Sequence, residues 1–395
     1  MELPNILARN QTTGVLTNNA VFHRDFLQYK SIARPIISCS SSYRADFAGV
    51  KSARPTSTVA GVRAQASTSH VQPLADPIVE AALTMLYPER RLLEREEAAA
   101  YVEMARLVNL VPSCLLVFLG AWMGSGRSLH ALILGRTWLM SAISGSIAVA
   151  SCVLNDFFDY AVDVINEPNK PLPRGSVPLD GALLLSFCLY SAVLISACIL
   201  EPPMLRFIIA FSAGATLLYT PLLKRMTGIK NISVAAVIAL SPVAGALAAG
   251  AASAALGTVA APCAYLFCCI LHREILMDLN DTDGDRASGI RTLPVVLGRR
   301  AALGAAALLA AAALGISLRC ALVGSGLSWL WALAPSLQPW LRSISALAAL
   351  ANGCTLLRAA GRIPGSGFDK GVVKAAIEGS MGPIGLGLLL TAITA

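Results

Sequence analysis

The stretch SCVLNDFFDYAVDVINEPNKPLPRG, residues 151–175, decides the fold because it carries a long apolar run directly into a cluster of acids. Asp156, Asp159 and Asp163 end the run, and a proline-rich loop with two bases follows them. A second acidic stretch, DLNDTDGDR, residues 278–286, follows a later apolar run. Two acidic clusters in so apolar a chain require a common explanation.

Composition places the chain among membrane proteins. It has 395 residues, of which 55% are hydrophobic and only 14% are charged, and its mean hydropathy is +0.65. One soluble core cannot bury that much apolar surface, so a polytopic membrane protein is predicted. The ten cysteines and four histidines show no zinc-binding spacing, so small buried side chains are the better interpretation of them.

Nine segments approach the length of about 20 apolar residues that a helix needs to cross a bilayer. They lie near residues 107–123, 131–154, 180–200, 203–221, 231–250, 257–277, 301–321, 339–357 and 372–394. Strand-like alternation is absent from the sequence, so the fold class is all-α, a bundle of nine transmembrane helices around a central cavity. Pro335, Pro339 and Arg342 interrupt the eighth segment, which is the weakest of the nine.

The sequence before the first span divides into two parts. Residues 1–70 are rich in arginine and serine, poor in acids and without a long apolar core, which is typical of an organellar transit peptide. A plastid membrane is the predicted location, with the mitochondrial inner membrane as the alternative and a disordered cytosolic tail also open. Residues 71–106 are predicted to form an amphipathic interfacial lead-in to the domain 107–395.

Basic residues are distributed unequally between the two ends of the nine spans. From Arg90 onward, seventeen lysines and arginines of the lead-in and the domain fall on the side where the first span begins and five fall on the other, so the richer side is predicted to face the cytosol, stroma or matrix. Both acidic clusters lie on the richer side. Because the bases are spread over short loops and form no continuous patch, the net charge of +8 does not indicate nucleic-acid binding.

The two acidic clusters share one spacing. The first places Asp156, Asp159 and Asp163 at offsets of three and four, and the second repeats those offsets with Asp278, Asp281 and Asp285. Residues at such offsets share one face of a helix. The pattern predicts two similar halves whose carboxylate stripes face each other across a cavity.

Carboxylates massed in this way repel one another unless a cation neutralises them. Magnesium is the predicted cofactor because it takes a few carboxylates, waters and phosphate oxygens. Six bases in loops on the same side are predicted to bind a phosphate or diphosphate. These six are Lys170, Arg174, Lys224, Arg225, Arg286 and Arg291. A metal-diphosphate site beside a lipid-filled cavity predicts a prenyl diphosphate substrate.

Four segments resemble signature regions of the UbiA superfamily of intramembrane prenyltransferases. They are NDFFDYAVDVINEPNKPLPRGSV at 155–177, HREILMDLNDTDGDRASGIRTLPVVLG at 272–298, YTPLLKRMTGIKN at 219–231 and RLVN at 106–109, where Leu107 replaces the family's usual proline. The resemblance covers residues 100–395. Within the superfamily the second motif is similar to the archaeal ether-lipid and chlorophyll-synthase branches, which leaves the acceptor open among aromatic, tetrapyrrole and lipid molecules.

The resemblance implies a role for each matching residue. It implies that Asn155, Asp159, Asp163, Asp281 and Asp285 bind two magnesium ions on the diphosphate. Asp156 and Asp278 are implied as supporting groups. Lys224, Arg225 and Arg286 are implied to neutralise the leaving group, together with Arg106. The implied reaction transfers a prenyl group of 20 carbons or more from its diphosphate to a lipophilic acceptor inside the membrane.

Two other functions remain open at this point. A cation-coupled transporter would also place acids in membrane helices, although here the acids lie at span ends and not near the bilayer midplane. A membrane terpene cyclase would ionise the same donor and let an internal double bond capture the cation. The acceptor, the donor length, the group that takes the acceptor's proton and the oligomeric state are left undetermined by the motifs.

Overall fold

The computed structural model describes residues 95–395 except 253–255, 288 and 329–334. The predicted transit peptide and most of the predicted lead-in therefore lie outside the described residues. The described part of the chain is built from α-helices and short 3₁₀ turns, and no strand occurs in it. The prediction of an all-α membrane bundle is confirmed.

The described residues form eleven α-helices. They are α1 Arg95–Met104, α2 Leu107–Gly124, α3 Gly135–Asn166, α4 Leu179–Cys198, α5 Pro203–Leu217, α6 Ile229–Ala248, α7 Leu256–Ala287, α8 Leu293–Leu297, α9 Arg299–Val323, α10 Gln338–Arg362 and α11 Lys370–Thr394. Among the described residues eight helices are long and apolar enough to cross a membrane.

The fourth predicted span, 203–221, is shorter than expected. Helix α5 has 15 residues and ends at Leu217, whereas the sequence predicted a span reaching 221. The segment after it, Leu218–Pro221, turns into the 3₁₀ turn Leu223–Arg225. A proline at 221 lacks the amide that would continue the helix, so the count of nine full-length spans is not confirmed.

The two helices that carry the acidic motifs are the longest in the described chain. Helices α3 and α7 each have 32 residues, and both continue beyond the predicted span ends at 154 and 277. The acidic residues therefore lie within helical backbone instead of capping it. A helix of this length extends about 48 Å at 1.5 Å per residue, so its final turns reach past the hydrocarbon core.

The helices pack in two groups that meet at α6 and α7. In the first group a core of α2 to α6 side chains includes Ile147, Leu154 and Ile209. In the second group α7, α9, α10 and α11 share cores that include Leu276 and Leu356. Each group brings one acidic helix to the junction.

Close contact between α2 and α6 depends on two glycines. A Cβ atom on Gly120 would lie 1.8 Å from the carbonyl oxygen of Pro242, and one on Gly245 would lie 1.9 Å from the carbonyl oxygen of Val117. Small residues allow such backbone approach between membrane helices, where packing replaces the hydrophobic effect as the driving force. This contact holds the C-terminal half of α6 against α2.

Candidate active site

The site lies where α3 and α7 carry their acidic stripes. Three other segments reach it, namely the α1–α2 junction, the loop after α3 and the segment 218–231 that leads into α6. The last segment contacts both motifs, because Lys224 binds the first and Lys230 binds the second. The two motifs, far apart in sequence, are thus brought to one end of the bundle, as predicted.

Asp156 is the most deeply buried acid of the first motif. Its side chain is 4% exposed, and Oδ1 accepts a hydrogen bond of 2.6 Å from Nη2 of Arg106. Lys170 Nζ lies 3.8 Å from the same oxygen. Arg106 has the left-handed backbone conformation, with φ 47° and ψ 63°, at the start of α2. Such conformations are costly for residues other than glycine and often occur at functional sites.

Lys170 links the loop after α3 back to that helix. Its Nζ donates a hydrogen bond of 3.0 Å to Oδ2 of Asp163 and lies 3.1 Å from Oε2 of Glu167. Burial by itself lowers the pKa of Lys170, but the hydrogen bonds to Asp163 and Glu167 outweigh it and raise that pKa above its ordinary value. Lys170 therefore stays charged beside the acids.

Lys224 neutralises the central acid of the first motif. Its Nζ donates to both oxygens of Asp159 at 2.8 Å. Thr220, four residues earlier, donates a hydrogen bond of 2.8 Å to Oδ1 of Asn155. The segment 218–231 thereby orients two of the three residues predicted to bind metal on α3.

The second motif repeats this arrangement. Lys230 Nζ lies 2.6 Å from Oδ1 of Asp278, and Asn231 Nδ2 donates a hydrogen bond of 2.9 Å to Oδ2. Asp278 is buried and uses both oxygens. Like Asp156, it is engaged by the first residues of a neighbouring helix, which suits a supporting group better than a metal ligand.

The remaining acids of α7 are more open. Asp281 is exposed and accepts a hydrogen bond of 2.9 Å from its neighbour Asn280. Oδ2 of Asp285 is buried and accepts no hydrogen bond of good geometry from the described residues, and the hydroxyl of Thr292 is the neighbouring donor group. A buried carboxylate oxygen left without a donor is costly unless a cation or water completes it.

Several predicted bases do not contact the motif acids. Arg174 instead pairs with Glu103 of α1 at 2.7 Å. Arg286 and Arg291 are exposed. Arg225 lies in the 3₁₀ turn Leu223–Arg225, and its side chain lies outside the described set.

A pocket of about 380 Å³ opens beside the first motif. Its wall includes the charged side chains Glu103, Arg106, Asp156, Glu167 and Lys170. Helix α1 closes one side, since Ala100 and Met104 are buried against Val153 and Leu172. The only described part of the predicted lead-in thus packs against the protein and borders the pocket.

Sequence reasoning assigned no role to four side chains between the motifs. Lys230 and Asn231 bind Asp278 directly. Tyr219 is half-buried, and burial followed by the charges of Glu274, Asp278 and Asp159 raises the pKa of its phenol. Glu274 is buried one turn before Asp278, on the same face of α7. The resemblance of the segment 219–231 to the family's basic loop was the available signal for the first three.

The donor set fits a hard divalent cation. Asn155, Asp159 and Asp163 recur every four residues on α3, and all offer oxygen, the ligand atom that Mg²⁺ prefers. The unpartnered oxygen of Asp285 adds a further donor. In the described part of the chain no three acids, histidines or cysteines converge on one point. Magnesium commonly takes only one or two carboxylates and completes its shell with water and substrate phosphate.

Two archaeal enzymes that share one name are similar to this chain in sequence. Digeranylgeranylglyceryl phosphate synthase of Natronomonas pharaonis is 36% identical over 213 residues, covering 54% of this chain and 74% of the relative. The enzyme of the same name from Thermococcus kodakarensis is 33% identical over 240 residues, covering 59% and 82%.

Solved structures show the same fold. A structure concerned with digeranylgeranylglyceryl phosphate synthase in membranes matches with a TM-score of 0.57 at 20% identity, covering 76% of this chain and 98% of the other. A UbiA homologue from Aeropyrum pernix matches with a TM-score of 0.50 at 21% identity, covering 72% and 98%.

The family model described as the UbiA prenyltransferase family matches residues 113–352. That range is more than half of the chain and includes both acidic motifs, the segment 218–231 and the helices α3 to α9. The chain therefore belongs to the UbiA prenyltransferase family.

Proposed function

We propose that the protein transfers a prenyl group from a prenyl diphosphate to a glycerol-phosphate lipid in the membrane, with Mg²⁺ as its cofactor. The observation that carries this proposal is that the carboxylate stripes of α3 and α7 lie on either side of the segment 218–231, with four bases paired to their acids, at one end of an apolar bundle. Such an arrangement suits a substrate with an anionic head and a hydrocarbon tail.

Asn155, Asp159, Asp163, Asp281 and Asp285 are the residues that would bind the metal. When bound, Mg²⁺ would neutralise the diphosphate and so make it a better leaving group. Asp156 and Asp278 are the most buried acids of their motifs and pair with bases at the starts of α2 and α6, so they would position the site without binding the ion.

The bases of the site stabilise the leaving diphosphate. Lys224 forms an ion pair with Asp159, the residue at the centre of the first stripe. A short movement of the flexible Lys224 side chain would therefore bring its ammonium group to a diphosphate bound beside Asp159. The bond between the first carbon of the prenyl chain and oxygen breaks, and its electron pair leaves with the diphosphate. The apolar helices exclude water from the allylic cation that remains.

The acceptor is favoured by the similarity to relatives. Their name denotes a product with two geranylgeranyl chains on glyceryl phosphate. A matching acceptor is a glyceryl phosphate that already carries one such chain, and its free hydroxyl oxygen forms the new bond to carbon and releases a proton. A donor of 20 carbons follows from the same name.

The test incubates purified full-length protein in detergent with radiolabelled geranylgeranyl diphosphate and Mg²⁺. Parallel reactions receive geranylgeranylglyceryl phosphate, a quinone-precursor phenol or chlorophyllide. We expect labelled lipid and released diphosphate with the first acceptor alone, and loss of both in EDTA. Transfer to the phenol or to chlorophyllide would show that the proposed acceptor is wrong. A hydrocarbon formed without any acceptor would indicate a terpene cyclase.

Matched variants separate the site from the fold. Asp159→Ala removes a predicted metal ligand, whereas Asp283→Asn alters an exposed acid of the same stretch whose partner is Arg299. Activity that survives Asp159→Ala or EDTA would refute the proposed metal site.

A further inference from the structure

A groove between α9 and α10 lies outside the acidic motifs. It measures about 350 Å³. Helix α9 contributes Leu303, Gly304 and Ala307, and α10 contributes Ala360 and Gly361. Arg300, in the first turn of α9, is the one charged side chain among the described residues that line it. None of these residues belongs to the prenyl transfer site proposed above.

The shape of the groove suits a hydrocarbon chain. Leu303 and Ala360 are buried and form its floor. Gly304 and Gly361 are exposed, and a Cβ atom on either would meet no atom within 4 Å. The walls are therefore low and open outward, toward the lipid that surrounds a membrane bundle.

The charge around the groove is positive and unbalanced. Arg300 lies on its wall, and the exposed residues Arg358 and Arg362, four apart on α10, flank the lining of the other helix. None of the three forms an ion pair with a described side chain, whereas the adjacent Arg299 is engaged by Asp283 at 2.5 Å. Arg300 and Arg362 lie toward the end of the groove formed by Gly361 and Pro364, and Arg358 lies one helical turn from Arg362; this positive charge complements an anionic head group.

The position in the membrane agrees with this charge. The start of α9 and the end of α10 lie on the side of the bundle that carries most lysines and arginines. That side faces an anionic leaflet in many membranes, and basic pockets between membrane helices there bind anionic lipid head groups. A zwitterionic lipid offers the same phosphate but also a cation, which three arginines would repel.

We propose that this groove binds an anionic glycerophospholipid of the surrounding membrane, with one acyl chain on the floor of Leu303 and Ala360 and the phosphate at Arg300. The lipid is a bound structural ligand and not a substrate, because the groove shares no residue with the acidic motifs.

The test measures lipid binding to the purified full-length protein by native mass spectrometry and by thermal unfolding in a neutral detergent. Phosphatidylglycerol is the probe, and phosphatidylcholine and inorganic phosphate are compared with it. We expect saturable binding of phosphatidylglycerol and a rise in melting temperature of several degrees. Phosphatidylcholine or inorganic phosphate giving an equal rise would overturn the proposal.

Variants localise the effect. Arg300→Gln removes the phosphate contact, and Gly304→Leu fills the groove without meeting a neighbouring atom at Cβ. The controls Arg319→Gln and Gly315→Leu make the same changes at exposed positions of α9 outside the groove. We expect the first two to lose the phosphatidylglycerol shift and the controls to keep it. A shift retained in both groove variants would exclude this site.

Discussion

Lys230 and Asp278 form an ion pair of 2.6 Å between the start of α6 and the acidic stripe of α7, and this pair repeats the geometry of Arg106 with Asp156, also at 2.6 Å. In each half of the bundle a base at the beginning of one helix contacts the first aspartate of the motif on another. The pairs join the helices that build the site. The later acids of the first motif pair with Lys224 and Lys170, whereas Asp281 and Asp285 form no ion pair with a described base.

The first prediction concerns this pair. Asp278→Asn leaves the ammonium group of Lys230 without its anion in a largely buried position. The free energy of unfolding should therefore fall by about 3 kcal/mol, which is typical when one partner of a buried ion pair is removed. Thermal unfolding in detergent measures the change. The double variant Asp278→Asn, Lys230→Met removes both charges and should recover much of the lost stability. If the stability losses of the two single variants simply add in the double variant, the two side chains do not interact.

The second prediction separates ligand from support. Asp159→Asn should lower turnover by roughly a hundredfold or more, comparable to losing one preorganised stabilising group in other enzymes. Its melting temperature should change little, because Asp159 is partly exposed and only Lys224 binds it among the described residues. Diphosphate release at saturating Mg²⁺ measures the effect. An equal loss in Asp283→Asn would show that the assay reports charge in general.

The third prediction concerns pH and Lys170. Its pKa in the folded protein lies above the ordinary value of 10.5, so the charged form stabilises the fold. That contribution to stability is complete below pH 10.5, and it disappears as the pH rises through the higher pKa that Lys170 has in the folded protein. Melting temperatures of the wild type and Lys170→Met should therefore differ by a constant amount from pH 7 to about 10 and converge above it.

A surface lysine provides the control for that experiment. Lys374 pairs with Glu378 at 3.8 Å, and both side chains are largely exposed. Lys374→Met should change the melting temperature little at any pH, because exposed pairs contribute little. If the difference in melting temperature between the wild type and Lys170→Met already narrows between pH 7 and pH 9, the pKa of Lys170 is not raised in the folded protein.

The fourth prediction concerns the packing of α2 on α6. Gly120→Leu places a side chain where Pro242 leaves no room, so the helices must separate and the protein should lose monodispersity and activity. Gly315→Leu introduces the same side chain on α9 where no atom lies within 4 Å of the new Cβ. Size-exclusion chromatography in detergent compares them. Equal behaviour of the two variants would show that the contact is not required.

Most helices could be predicted from the sequence because bilayer length and apolar composition suffice to identify a membrane span. The ends of α3 and α7 could not, since amphipathic turns beyond the bilayer continue a helix without adding an apolar run. The ending of α5 at Leu217 was also missed, because the apolar residues after it belong to a turn.

Part of the candidate site, like part of the fold, could also be predicted from the sequence. The repeated spacing of the motifs predicted which acids share a helix face, because that relationship is local. The partner of each acid was not predictable, as the pairing of Lys230 with Asp278 and of Arg174 with Glu103 shows. Such partners are separated by many residues, and only the packing of helices determines which base reaches which acid.

The sequence by itself determined the membrane class, the two carboxylate stripes and the side on which they lie, because each depends on composition or on helical periodicity. Only the tertiary structure decided that one segment, residues 218–231, contacts both stripes through Lys224 and Lys230. The reason is physical. Lys224 and Lys230 are separated by many residues from the acids that they bind, so the packing of the helices decides these contacts. Backbone distances between helices, such as the close approach of α2 and α6 at Gly120 and Gly245, are not encoded in any local pattern.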